Sequence, residues 1–266
     1  MNNSENQVNV NRAFSYSLYL YTGAFAFAYM ISGVLVNHVI EYFGLTGAGQ
    51  GYMNSMINIG NTIAILLTIV MYFRVKKTTM LFLSGILIVV TLAMTGLANS
   101  FTVILIVSLA LGFGLGWFDS YVNSCIVDAN PVGSVKYLGT LHGFFGIGSL
   151  LAPIAIAALL TVTDWQGVYL SFSPLILITA VIYLAALRYT NKRFTISGME
   201  SPKFTISDLR SYLKDKRLVL LLAALLSYSF MQFGLFTWLV RYMSVMYDAE
   251  TLGMTGITFM PFLLMP

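Results

Sequence analysis

The chain has 266 residues, 58% of them hydrophobic and only 9% charged, with a formal net charge of +4, and its mean hydropathy is +0.82. Soluble domains carry about 25% charged residues, so this composition excludes a water-soluble globule and makes the membrane span of about 20 apolar residues the unit of organisation. Lys and Arg lie almost wholly in short segments between apolar runs, which marks them as topology signals and argues against a nucleic-acid partner.

In chain order the apolar runs cover 13–37, 51–73, 78–98, 101–129, 138–160, 168–189 and 218–240. Each is long enough to cross about 30 Å of hydrocarbon as a helix. The Ala24, Ala26, Ala28 series imitates a signal-peptidase site, but its run is too long for a cleaved leader, so it is expected as an uncleaved first span. Barrel strands would alternate apolar and polar residues over about 10 positions, and these runs do not. The expected fold class is therefore an all-α membrane protein, multi-pass and held in the lipid bilayer. Residues 1–189 are expected as a six-helix N-terminal bundle and 190–216 as a cytoplasmic linker. The remainder, 217–266, reads as the start of a second bundle, with a seventh helix and part of an eighth, truncated at the apolar stretch from Met254 to Pro266.

The charges orient these spans. With the N-terminus inside, Arg12, Arg74, Lys76, Lys77, Lys136, Arg188, Lys192, Arg193, Lys203, Arg210, Lys214, Lys216 and Arg217 fall on the cytoplasmic side, leaving Arg241 outside. The non-membrane acids divide almost evenly, as the positive-inside rule allows. A cell-membrane location, plasma or inner, with a cytoplasmic N-terminus follows, and Arg74, Lys76 and Lys77 mark a cytoplasmic gate or topology signal. Within the linker, Ser207 to Lys214 puts Leu209, Tyr212 and Leu213 on one face, which reads as an interfacial helix or, alternatively, as a solvated loop.

Polar side chains inside the spans are the candidate functional residues, because ionisable groups at membrane depth usually face a bundle interior or a watery cavity. Asp119 is the acid placed well inside a run, and Asn123 follows one helical turn later on the same face. The acid is either a functional group or a buried carboxyl tied up by its neighbours. Gly112, Gly114 and Gly116 before it read as close helix packing. His142, on the next span, joins Asp119 and Asn123 in one polar cluster if the two helices are neighbours, or donates a single hydrogen bond across a helix pair. Gly139 and Gly143 flank it at GxxxG spacing, which would bring helices close.

Asn54, Asn58 and Asn61 form an amide stripe on the second span, suited either to a hydroxyl-rich solute or to interhelical hydrogen bonds. Gln232 belongs to a weaker polar set on the seventh span with Ser227, Tyr228 and Ser229, and Trp238 reads as an interfacial anchor. No zinc spacing, phosphate loop or nucleophile with its base is present, so neither a metal, a cofactor nor an enzymatic activity is expected.

Six spans, a long basic loop and a second set of spans resemble the plan of the major facilitator superfamily. Gly114, Leu115, Gly116, Asp119 and Asn123 resemble the fourth-helix pattern of its fucose-permease-like, sugar:proton symporter branch. Leu141 to Gly148, on through Pro153, resembles the fifth helix of related members, and Gln232, Phe233, Gly234 and Trp238 are similar to the start of the second half. The resemblance implies sugar binding and proton coupling at Asp119. Departures are Phe73 to Lys77, which keeps the basic charge of the family's loop and loses its acid, and Val34, where fucose permeases carry an acid. The expected function is secondary active transport of a small polar solute, coupled to protons that Asp119 loads and releases as its exposure alternates. The alternative is a non-transporting membrane scaffold or sensor in which the amides and His142 only join helices.

Overall fold

Backbone groups in hydrocarbon must be satisfied within their own segment, and the computed structural model, which describes residues 3–71, 74–193 and 214–247, contains helices and turns with no strand among those residues. The helices are α1 (Asn3–Val34), α2 (Val36–Tyr42), α3 (Gly47–Met71), α4 (Lys77–Gly96), α5 (Phe101–Ala129), α6 (Ser134–Leu160), α7 (Trp165–Arg193) and α8 (Lys216–Tyr247). Five described segments, within α1, α4, α5, α6 and α7, are long and apolar enough to cross a bilayer, and α3 is of similar length. The expected linker helix over 207–214 and the apolar stretch from 254 lie largely or wholly outside the described residues.

Helix ends depart from the hydropathy runs where polar residues cap them. The Asp164 carboxylate accepts the Gly167 amide N–H at 2.7 Å and starts α7, and Asp215 does the same for the Arg217 amide at 2.9 Å at the start of α8. The first run ends sooner than expected because α1 breaks at Leu35, and the seven-residue α2 follows. Gly44 then turns the chain at φ 61°, a left-handed conformation open to glycine without steric penalty.

The chain divides into two compact units, Met1–Ser197 and Gly198–Pro266. In the first, α1 and α5 are central. Helices α4 and α7 pack together and cover one side of this pair, while α3 lies along α5 and α6 along α1. Helices α3 and α6 thus flank the α1 and α5 pair, α3 against α5 and α6 against α1. Glycines set the closest approaches. A Cβ at Gly112 would strike the Ile57 carbonyl on α3, and one at Gly148 would strike the Gly23 carbonyl on α1, so backbones meet there without side chains between them. Gly114 bears the same relation to Ile88 of α4, at 2.8 Å from an added Cβ. The packing expected of the 112–116 glycines is thus present. The GxxxG expectation is not: an added Cβ at Gly139 or Gly143 meets nothing within 4 Å, and α6 makes its close approach at Gly148 instead.

Apolar side chains also face outward, among them Leu66, Ile106, Ile154 and Ile178, a surface suited to lipid and costly in water. The two ends of the bundle differ. At one, Arg12, Arg74, Lys76, Lys136 and Arg188 are exposed, and polar ties join the helices behind them. Asn130 donates to the Ser15 hydroxyl at 2.9 Å, and the Tyr183 hydroxyl donates to the Thr78 carbonyl at 3.0 Å. At the other, Tyr42, Phe43, Phe101, Trp165 and Tyr169 form a chain of ring contacts at 4.8 to 6.3 Å. Lys77 differs from its basic neighbours. Its ammonium is 2.7 Å from the Asp128 carboxylate, and the two side chains are 5% and 20% exposed. Grouped by sequence with exposed loop charges, Lys77 is instead a buried link between α4 and α5.

The second unit contributes α8, whose Leu220, Leu221, Leu226 and Phe230 are exposed within the described residues. Trp238 is exposed on the same helix. Gln232 lies on α8, and its side chain is outside the described residues.

Candidate functional site

The polar cluster lies on α5 and α6. On α5, 3.6 residues per turn place Asp119 and Asn123 on one face, and the Asn123 amide Nδ2 donates to the Asp119 carbonyl at 2.9 Å and to its carboxylate at 3.2 Å. Asp119 is an exposed residue, and one oxygen of its carboxylate is taken up by the Asn123 amide. His142 on α6 is also exposed and interacts electrostatically with Asp119. Because α5 and α6 are in contact, the condition for one cluster is met: Asp119, Asn123 and His142 are brought together.

Two residues at this cluster escaped the sequence reading. Tyr29 of α1 interacts electrostatically with Asp119 and meets Phe145 of α6 edge to face at 5.7 Å. Behind them Phe25 stacks on Phe118, the residue before Asp119, with ring centroids 4.2 Å apart and an interplanar angle of 5°. The available signal was the Phe25 and Tyr29 pair, one turn apart, on a span that also carries Phe14, Tyr16, Tyr19, Tyr21 and Phe27. Which way that face pointed needed the packing of α1 on α6.

The amide stripe is set apart from this cluster. Asn61 lies against α5: its side-chain oxygen and backbone flank the space a Cβ at Gly116 would occupy, at 3.1 and 2.8 Å. Nearby, the Trp117 indole N–H donates to the Ala64 carbonyl at 3.0 Å. These contacts put Asp119 roughly one turn beyond Asn61, and Asn58 and Asn54 roughly 10 to 16 Å from its level at 1.5 Å per residue. Asn58 is exposed, while the Asn54 amide nitrogen is buried without a partner among the described residues. Arg74 and Lys76 are exposed at the basic end, away from the cluster.

The cluster combines a carboxylate, an imidazole and aromatic neighbours, and Asn123 keeps a buried amide oxygen without a partner among the described residues. Among the described residues no group of three or more His, Cys, Asp or Glu side chains is arranged to hold a metal ion.

The Major Facilitator Superfamily profile matches residues 18–266. The chain belongs to the Major Facilitator Superfamily. No curated protein matches it at the level of sequence. Among solved structures it is similar to a bacterial homologue of the human lysosomal transporter Spinster, captured inward-facing and unoccupied, with a TM-score of 0.65 and 16% identity over 96% of this chain. That likeness is one of fold. The chain spans 60% of the length of that transporter. As a member of the superfamily it is a multi-pass membrane protein with an all-helical bundle.

Proposed function

We propose that the chain is the first half, with the beginning of the second, of a secondary transporter that moves a small polar solute together with protons. The observation that carries this is Asp119, an exposed acidic residue on a membrane-spanning helix, next to His142 of α6 and Tyr29 of α1. Superfamily membership supports it, since in such transporters the solute site lies near the midplane between two halves that rock against each other. A carboxylate there meets both solute and water as access alternates, which is what proton coupling requires. The fucose-permease-like resemblance on the fourth helix would make the solute a sugar. The scaffold alternative finds its support at Asn61, whose contact with α5 is that of an amide joining helices.

The organisation into an N-terminal bundle, a basic cytoplasmic linker and a second bundle, with the N-terminus in the cytoplasm of a cell membrane, is part of the same proposal. The distribution of basic residues supports it. The experiment is proton-gradient-driven uptake into proteoliposomes by the full-length protein. Asp119→Asn should abolish gradient-driven accumulation while solute still equilibrates. Unchanged accumulation would remove Asp119 from the mechanism.

A further inference from the structure

The polar atoms left over around Asp119 favour acceptors. The Asn123 amide N–H group is committed to Asp119, and the amide oxygen that remains, Oδ1, is buried with no donor. No ion pair to Asp119 occurs among the described residues, where the one salt bridge is Lys77 with Asp128 at the basic end. With that oxygen sealed, Asp119, an exposed residue, is the acceptor open to a ligand, and a carboxylate favours one that brings N–H donors and a positive charge.

The walls select the rest of that ligand. Tyr29 and Phe145 are each partly exposed. They meet edge to face at 5.7 Å, Phe145 lies 6.0 Å from Phe25, and Phe25 is itself stacked on Phe118. Aromatic rings beside one carboxylate offer a cation both direct charge neutralisation and ring-face attraction, and offer an apolar body a dry contact. A neutral polyol would instead need donors and acceptors in similar number, and Tyr29 and His142 are the side chains of the cluster able to donate.

We propose that this cluster recognises an organic amine, with its ammonium N–H groups on the Asp119 carboxylate and its apolar body beside Tyr29 and Phe145. This rests on the exposed Asp119 face being the solute site, and it narrows the solute to an amphipathic cation. Because ammonium and proton compete for one carboxylate, the coupling it implies is exchange in place of co-transport. The amide stripe of α3, at a different depth, is not part of the amine's first contact.

The test is binding to the purified full-length protein by titration calorimetry, with three probes: 2-phenylethylamine, its neutral isostere 2-phenylethanol, and glucose. The amine should bind about tenfold more tightly than the alcohol, equivalent to about 1.4 kcal/mol. Asp119→Asn should erase that preference, Asp119→Glu should keep most of it, and Phe145→Ala should weaken the amine several-fold. Equal binding of amine and alcohol by the unaltered protein would overturn the inference without any variant having to fold. Glucose binding that depends on Asp119, without a preference for the amine, would overturn it too while leaving the solute site standing. Failure of all three probes to bind also overturns it, and the uptake experiment on Asp119→Asn then reads the transporter proposal separately.

Discussion

Replacing Lys77 by Met keeps the length and apolar stem of the side chain and deletes its charge, leaving Asp128 against α4 with its carboxylate only 20% exposed. At 2.7 Å and an effective dielectric of about 20, the lost attraction is about 6 kcal/mol, much of it offset in the intact protein by desolvation of the two ions. The net effect of removing one member of a buried pair is about 3 to 5 kcal/mol. Such a loss is a large fraction of the stability of most domains. Denaturant unfolding in detergent, followed by tryptophan fluorescence, should show this for Lys77→Met. The double variant Lys77→Met with Asp128→Leu should recover most of the loss, because no uncompensated ion remains. Arg74→Met and Lys76→Met, which remove exposed charges, should change stability by no more than about 0.5 kcal/mol. A Lys77→Met loss below about 1 kcal/mol, or a double variant no better than the worse single one, would refute the buried link.

Gly112→Ala drives a methyl group into the Ile57 carbonyl and should destabilise the bundle by about 1 to 3 kcal/mol. Gly143→Ala, with nothing within 4 Å of the added carbon, should be neutral or stabilising by up to about 1 kcal/mol; parallel melting curves separate the two. Asn130→Ala removes the bond to the Ser15 hydroxyl at 2.9 Å and should lower stability by about 1 kcal/mol, read by the same unfolding assay. For topology, Arg74→Cys and Arg188→Cys should react with an impermeant maleimide from one side of sealed vesicles and Thr161→Cys from the other. The native Cys125 is buried and should not contribute to the labelling.

Where residues act through their average environment, sequence was enough. The spans follow from runs of apolar residues, since a backbone in hydrocarbon has few alternatives to the helix. The Asp119 and Asn123 pair follows from helical periodicity alone, because residues four apart share a face whatever surrounds them. The 112–116 glycines likewise announced close packing, and Gly112 lies against Ile57.

Other features depended on which helix lies next to which, a choice made among several apolar surfaces of nearly equal attraction to lipid. Gly139 and Gly143 have the spacing of a contact motif, yet the contact is at Gly148 because α6 packs on α1 with a different face. Lys77 and Asp128 are 51 residues apart and belonged to separate loops until the folded helices set them side by side. Tyr29 and Phe145 became walls of the cluster only when α1 and α6 converged on α5. Composition and periodicity thus decided that the chain is a helical membrane bundle with a carboxylate inside it. Tertiary packing decided what that carboxylate faces, because lipid rewards every oily helix surface alike and only close backbone approach and paired polar groups discriminate between them.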